Sequence, residues 1–325
     1  MMTDTGIPHD SVLVTGAGGF IGSHVVEALL AADVRVTGLD NFCDFYAPDR
    51  KQANLRRAAA HPACTIITGD IRDAVMLRTV MKEARPSAVI HLAAMAGVRP
   101  SIERPALYAA VNVEGTAALL QACGEAACGA FLFASSSSVY GDSTKTPFAE
   151  DDPLASPVSP YAATKLAGEL LCRSWHHLHD MPITCLRFFT VYGPRQRPDL
   201  AISRFMQCAR TGQPARMFGD GTSSRDYTFV DDIVAGVLAA LRIDDGFHLY
   251  NLGSDRPTAL ATLIDAVRRA TGRTLEIEQA PAQPGDVRST WADLSHSEAA
   301  LGYRPRTSLE EGLRRQWEWM INGGN

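Results

Sequence analysis

The sequence predicts an α/β protein, a doubly wound parallel sheet with a smaller C-terminal substrate-binding domain, and three observations predict it. Apolar strand-like runs alternate with amphipathic stretches from residue 11 to residue 187. A glycine-rich turn, Gly16-Ala17-Gly18-Gly19-Phe20-Ile21-Gly22, follows the first run at once and opens a helix. Beyond Arg187 the alternation breaks down and Pro and Gly become frequent, as at Pro194, Pro198, Pro214, Gly219 and Gly221.

Taken in order, the strands are expected at Ser11–Thr15, Val34–Leu39, Cys64–Thr68, Ala88–Leu92, Phe131–Ser135 and Ile183–Arg187. Helices are expected between them at Ile21–Ala31, Asp73–Ala84, Val111–Ala127 and Tyr161–His179, where apolar residues recur at helical spacing. The pattern is Rossmann-like, and it makes residues 1–187 a dinucleotide-binding domain. Residues 188–325 then form mainly the second domain, with no second full set of strands and helices. Two apolar segments there, Tyr227–Val230 and Phe247–Leu252, read as strands returning to the main sheet, and no internal repeat is evident.

Composition narrows the function classes. A chain of 325 residues, 46% apolar and 21% charged, can bury a sizeable core, which excludes a disordered or collagenous chain. A net charge of −5 gives no electrostatic footprint for nucleic acid or an anionic membrane. The 7 cysteines are scattered, without the paired spacing of a zinc site, and read as reduced thiols, so no metal is expected. The N-terminus lacks a basic and apolar leader, and no apolar run approaches the roughly 18 residues of a membrane helix. A cytoplasmic protein is the expectation.

The turn has the chemistry of a pyrophosphate site. Gly16 permits the bend, Gly19 lets backbone N–H groups approach a phosphate, and Gly22 allows close packing of helix on strand; Phe20 and Ile21 supply further N–H groups at the positive helix end. Asp40 ends the second strand, about 20 residues on, where a carboxylate can accept both ribose hydroxyls of an adenosine. Asn41 and Phe42 follow it and no Arg adjoins, so the pattern favours NAD over NADP. Asp70 and Ile71 follow the third strand, where they could hold and pack on an adenine, although an Asp here could equally serve a helix start, the role Asp73 is placed for. Ala93 and Ala94 leave room beside a cofactor at the end of the fourth strand, or simply pack.

Tyr161 and Lys165 lie one helical turn apart on one face, behind a Ser159-Pro160 helix start. A phenol with a pKa near ~10 is a poor base, but an ammonium and a cationic nicotinamide beside it favour phenolate. Without the glycine turn, Tyr-x-x-x-Lys would mean nothing. The run Ser135-Ser136-Ser137-Ser138 lies at the carboxyl end of the fifth strand, the edge at which open parallel sheets bind ligands. Ser136 is the serine placed for the hydrogen-bonding role, with Ser137 and Ser138 as further contacts.

With these residues in hand, the chain from Ser11 to Asp293 resembles the extended short-chain dehydrogenase/reductases that act on nucleotide sugars. The likeness rests on the glycine turn, the serine-rich strand end, Tyr161-x-x-x-Lys165, Arg187-Phe188-Phe189-Thr190-Val191-Tyr192-Gly193-Pro194 and Arg225-Asp226-Tyr227. Within that family it is most similar to UDP-glucuronate 4-epimerases, through Asp40-Asn41-Phe42, Ala96-Gly97-Val98-Arg99, the four serines and the segment TVYGPRQRPD from Thr190 to Asp199.

The resemblance implies an isomerase that converts UDP-glucuronate to UDP-galacturonate through a transient 4-ketone. Tyr161 would take the 4-hydroxyl proton while C4 hydride passes to NAD, Lys165 would bind the nicotinamide ribose and tune Tyr161, and Ser136 would hold the sugar oxygen. Phe188 joins the cofactor site on the same ground. The ketone is also a β-keto acid, prone to lose carbon dioxide, and Arg197 could hold its carboxylate with Thr190, Ser137 and Ser138; taken alone, Arg197 could as well be a solvated loop charge. Nucleotide-sugar dehydratases carry an Asp-Glu pair, and decarboxylases a Glu, where this chain has Ser137 and Ser138. For the nucleotide, Arg225 and Arg288 would neutralise the diphosphate, with Tyr227 nearby and Phe218 beside the uracil; Arg288 could instead pair with Asp286, and Arg99 could also reach phosphate. A homodimer pairing the helices of Val111–Ala127 and Tyr161 as a four-helix bundle is a family expectation. The competing readings are a 4-epimerase of UDP-glucose, UDP-galactose or their N-acetyl forms, a UDP-glucuronate decarboxylase, and a non-catalytic NAD-binding protein.

Overall fold

Every residue of β1 (Ser11–Thr15) is buried, as a strand covered by helices on both faces requires. The computed structural model describes residues 6–154, 156–281, 285 and 287–324. The strands continue as β2 (Arg35–Asp40), β3 (Cys64–Thr68), β4 (Ala88–His91), β5 (Ala130–Ser136) and β6 (Ile183–Phe188). Six further strands follow: β7 (Thr190–Tyr192), β8 (Ala215–Phe218), β9 (Ser224–Phe229), β10 (Phe247–Leu252), β11 (Pro257–Ala259) and β12 (Ile277–Ala280). A 7-stranded parallel sheet runs in the order β10-β6-β5-β4-β1-β2-β3. The direction of winding reverses between β1 and β4, and a crevice opens there at the carboxyl ends of the strands.

The helices on the two faces are α1 (Phe20–Ala31), α2 (Pro48–Ala59), α3 (Ala74–Ala84), α4 (Val98–Glu103), α5 (Pro105–Ala109), α6 (Gly115–Glu125) and α7 (Pro160–His179). Ser159 caps α7, its hydroxyl accepting from the Ala162 N–H at 3.1 Å. Asp73 caps α3, accepting from Val75 and Met76 N–H at 3.0 and 2.9 Å. Sequence periodicity gave no sign of α2, which buries only Lys51, Asn54, Leu55 and Ala58 and so shows no apolar stripe. The helix expected over Val111–Ala127 begins earlier, at α5, and passes through a π-helical turn at Ala110–Glu114 into α6. Asn112 lies in that turn, its amide donating to the Met95 carbonyl at 2.9 Å and the Thr164 hydroxyl at 3.0 Å. A wider helical turn here lets one side chain join the end of β4 to α7.

Beyond β6 the chain is more regular than its Pro and Gly content suggested. It forms α8 (Ala201–Thr211), α9 (Val230–Ala240), α10 (Leu260–Thr271), α11 (Ser295–Leu301) and α12 (Leu309–Ile321). The apolar spacing was present in α8 (Ile202, Phe205, Met206, Ala209) and α10 (Leu263, Ile264, Ala266, Val267), between short turn-rich strands that masked it. Of the two segments expected to return to the main sheet, only Phe247–Leu252 does so, as β10 beside β6. Tyr227 instead lies in β9, which pairs with β7 and β11 in a separate 3-stranded sheet, while Val230 begins α9. β9 finds its ladder partners in β7 and β11, and Asp226, fully buried, accepts from the N–H groups of Ser254, Asp255 and Ala292 at 2.6, 3.0 and 3.2 Å, which ties β9 to the chain after β10 and to the C-terminal segment. One hydrophobic cluster runs from Val12 and Leu132 through Phe189 to Leu263 and Leu313. Among the described residues no helix is long and apolar enough to cross a membrane.

Candidate active site

The glycine turn folds as tightly as its composition demands. Gly16 has φ +71°, and a Cβ there would stand 2.7 Å from the Ala93 nitrogen; a Cβ on Gly22 would stand 2.1 Å from the Gly16 carbonyl oxygen. Gly19 precedes α1 with no side-chain cap, so the helix's first N–H groups have no partner of their own. Gly16, Gly19, Phe20, Ile21 and Gly22 line a cavity of about 350 Å³. A cradle that any Cβ would fill, ending on uncapped N–H groups, fits a pyrophosphate.

Asp40 and Asn41 form the next part of the wall. The Asp40 carboxylate accepts from Gly18 N–H at 2.9 Å and Phe42 N–H at 2.8 Å, which fixes it beside the turn. Asp70 and Ile71 also line the cavity, as do Ala93, Ala94 and Phe188. Asp70 is heavily engaged: Arg72 donates to both its oxygens at 2.9 and 2.8 Å and the Asn41 amide at 2.9 Å. These bonds hold its carboxyl well below the usual range.

The catalytic candidates Tyr161, Lys165 and Ser136 line the same cavity. Burial raises the Tyr161 phenol above its ordinary pKa, while a hydrogen bond with Ser136 and the Arg197 charge pull it back. The sequence reading expected Lys165 to lower this phenol, but the ammonium donates to the Ala134 carbonyl at 2.7 Å and lies over the Phe133 ring. Desolvation brings Lys165 down to about 8. Ser136 also caps the turn that follows it, accepting from Ser138 N–H at 3.2 Å and donating to the Ser138 hydroxyl at 3.2 Å.

Of the substrate candidates, Thr190 and Arg197 line the cavity with Ser136. Ser137 and Ser138 lie in the short 3-10 turn directly behind it. Arg197 is not a solvated charge: its side chain is 14% exposed, and Asp199 pairs with it. Tyr227 is buried and pairs in register with Thr190 across β9 and β7, its phenol pushed up to about 12 by burial. Arg225 donates to the carbonyls of Ser224 at 2.8 Å and Arg288 at 3.5 Å, which brings the two expected diphosphate ligands together. Phe218, on β8, has the Arg99 guanidinium over its ring at 4.7 Å. Ser137, Ser138, Phe218, Arg225, Tyr227 and Arg288 are all outside the wall of the cavity itself. Asp286, the alternative partner for Arg288, falls outside the described residues. Among the described residues no cluster of His, Cys, Asp or Glu could hold a metal ion.

The model of the NAD dependent epimerase/dehydratase family matches residues 12–253. The chain belongs to that family. It is 40% identical over 308 residues to a UDP-glucuronate 4-epimerase of Thermodesulfobacterium geofontis, covering 94% of this chain and 95% of that protein. Its structure matches that of the UDP-glucuronic acid 4-epimerase of Bacillus cereus in complex with UDP-glucuronic acid and NAD, with a TM-score of 0.91, 35% identity and coverage of 96% of this chain and 99% of the other. It also matches a UDP-glucose 4-epimerase of Thermotoga maritima bound to UDP-glucose, with a TM-score of 0.89, 32% identity and the same coverage, 96% and 99%.

In this family member, several residues at the cavity escaped the sequence reading. Cys43, Phe45, Tyr46 and Lys51 come from the loop after β2 and from α2, and they line it together with the glycines. Lys51 is buried and donates to the Cys43 carbonyl at 2.8 Å, so an apparent surface lysine fastens the loop. His91 bridges Thr15 and Thr116 at 2.7 and 3.0 Å, and burial lowers it to about 3, a neutral strut under the site. Asn112 had only one sequence signal available, its place in a helix whose apolar spacing slips.

Proposed function

We propose that the protein is an NAD-dependent isomerase that interconverts UDP-glucuronate and UDP-galacturonate at C4. The observation that carries this reading is the meeting of a glycine-turn cradle, the trio Tyr161, Ser136 and Lys165, and the part-buried Arg197 around one cavity. The similarity to UDP-glucuronate 4-epimerases over nearly the whole chain supports it. Backbone N–H groups of Gly16, Gly19, Phe20, Ile21 and Gly22 would hold the NAD pyrophosphate, Asp40 and Asn41 the adenosine ribose, and Asp70 and Ile71 the adenine. Ala93, Ala94 and Phe188 would line the rest, and Lys165 would bind the nicotinamide ribose. Bound NAD would supply the hydride acceptor for C4 and the hydride for return to the other face of the ring.

Tyr161, as the phenolate, takes the C4 hydroxyl proton and Ser136 holds the same oxygen, while the Ser136 hydrogen bond and the Arg197 charge favour the phenolate. The resulting C4 ketone is planar, so rotation about the nucleotide linkage presents its second face, and proton return from Tyr161 completes inversion. Arg197, with Thr190, Ser137 and Ser138, grips the C6 carboxylate so that its bond to C5 stays out of line with the carbonyl π system, which blocks loss of carbon dioxide. Arg225, Arg288 and Tyr227 bind the diphosphate and Phe218 the uracil. Residues 1–187 serve the cofactor and residues 188–325 mainly the sugar nucleotide, with β10 contributed back to the first.

The same reading includes a homodimer and a cytoplasmic setting. Leu170 and Leu178 on α7 are 59% and 71% exposed, an apolar face suited to a four-helix seam with α6 of a second copy, and all seven cysteines are free. Light scattering that returns a monomer overturns the dimer.

Incubation with UDP-glucuronate and identification of the sugar by NMR tests the function. UDP-galacturonate is expected. A pentose product makes the protein a decarboxylase, preferential turnover of UDP-glucose moves it to the neutral-sugar epimerases, and bound NAD without any product makes it a non-catalytic binder.

A further inference from the structure

The guanidinium of Arg197 is held from two directions by residues with no assigned role. Asp199 accepts from Nε at 3.0 Å and from Nη2 at 2.7 Å, in the plane of the group. The Phe45 ring lies under its face, 4.9 Å from the guanidinium carbon. Gly97, φ +108°, leaves space beside Nη2, where a Cβ would come within 3.5 Å. The fork of parallel donors expected for a sugar carboxylate is therefore already taken on its Nε edge. A guanidinium has five N–H donors, and an Asp carboxylate in this geometry leaves three of them, both on Nη1 and one on Nη2.

We propose that Asp199 is a specificity-determining positioning residue: by occupying the Nε edge it fixes the plane of Arg197, so that a sugar carboxylate meets only the Nη1/Nη2 end of the group. This rests on the reading of the site as one for a uronic acid. The physical consequence concerns the angle between the sugar C5–C6 bond and the C4 carbonyl π orbitals, which the ring conformation sets. An unclamped guanidinium can follow the carboxylate as the ring flexes, including into the conformation that sets the breaking bond parallel to those orbitals. In that orientation the C5–C6 bond breaks, carbon dioxide departs, its electron pair passes into the C4 carbonyl as an enolate, and a solvent proton returns to C5. A clamped guanidinium holds the carboxylate at one angle. Phe45 contributes by denying the group a tilt out of plane.

The test is the partition between epimer and carbon dioxide from UDP-glucuronate labelled with carbon-13 at C6, followed by NMR. For Asp199→Ala the labelled carbon dioxide per epimer formed is expected to rise about tenfold or more, and for Asp199→Glu, which keeps a carboxylate, to return toward the parent value. A merely structural Asp199 would change expression or overall rate and leave the ratio unmoved. If the parent epimerises UDP-glucuronate and both variants partition as the parent does, this inference is overturned while the functional reading stands. If the parent does not act on UDP-glucuronate, the functional reading falls and takes the inference with it.

Discussion

Glu169 accepts from Nε of Arg187 at 2.9 Å and from Nη2 at 2.8 Å, one helical turn beyond Lys165. Both side chains are buried, at 7% and 3% exposure, and the Ser135 hydroxyl also donates to Glu169 at 2.5 Å. This pair fastens α7, which carries Tyr161 and Lys165, to β6 and to the strand end that carries Ser136.

Because both charges are buried, Glu169→Gln leaves a guanidinium without its counter-ion. A loss of about 3–5 kcal/mol is expected, read as a lower urea midpoint. The double variant Glu169→Leu with Arg187→Met should recover most of it, since it removes both desolvated charges. A midpoint unchanged in the single variant would show that the pair contributes nothing.

Gly22→Ala places a methyl group 2.1 Å from the Gly16 carbonyl oxygen, a contact with backbone that cannot rotate away. The turn must open, so loss of NAD binding by at least tenfold is expected in a fluorescence titration. Retained affinity would mean that the cradle is not the pyrophosphate site.

Lys165 gives a pH signature. Burial is the main reason its pKa stands at about 8, against 10.5 for a free lysine. Below about 8 folded and unfolded chains both carry the proton, so the folded state bears the full cost of a buried charge. Between 8 and 10.5 the unfolded chain alone keeps it, stability rises with pH, and the cost is gone above that range. Lys165→Met should therefore exceed the parent in stability near pH 7, by an amount that shrinks toward pH 10. Urea midpoints at the two pH values check this, and an advantage that grows with pH would contradict it.

Tyr161→Phe removes one oxygen from a wall that otherwise stays as it is. The expected result is a fall in kcat of about 10²–10⁴ with NAD binding within a few fold of the parent. Near-parental turnover would remove this phenol as the base.

Much of the site was legible because its residues are read from local spacing. Glycines that tolerate no Cβ, a carboxylate closing β2, and a Tyr and Lys one turn apart on α7 each announce themselves within a few residues. The partners of Arg197 did not: Phe45 reaches it from the loop after β2, far away in the chain, and the pairing with Asp199 depends on how the loop after β7 folds. Lys51 and Asn112 were hidden for a related reason, since their burial depends on what packs over them. Asp226, read only as part of a motif, proves to be fully buried and to tie β9 to the chain after β10.

What the sequence determined by itself was the alternation of strand and helix, the place of the glycine turn at the head of α1, and the identity of the groups able to do chemistry. These follow from periodicity and covalent sterics, which act over a few residues. Only the tertiary structure decided that β10 completes the sheet while β9 does not, that the Lys165 ammonium faces the Ala134 carbonyl, and that Asp199 already occupies one edge of Arg197. Those outcomes turn on burial and on which charges meet after distant segments pack, and neither is encoded in the spacing of any one segment.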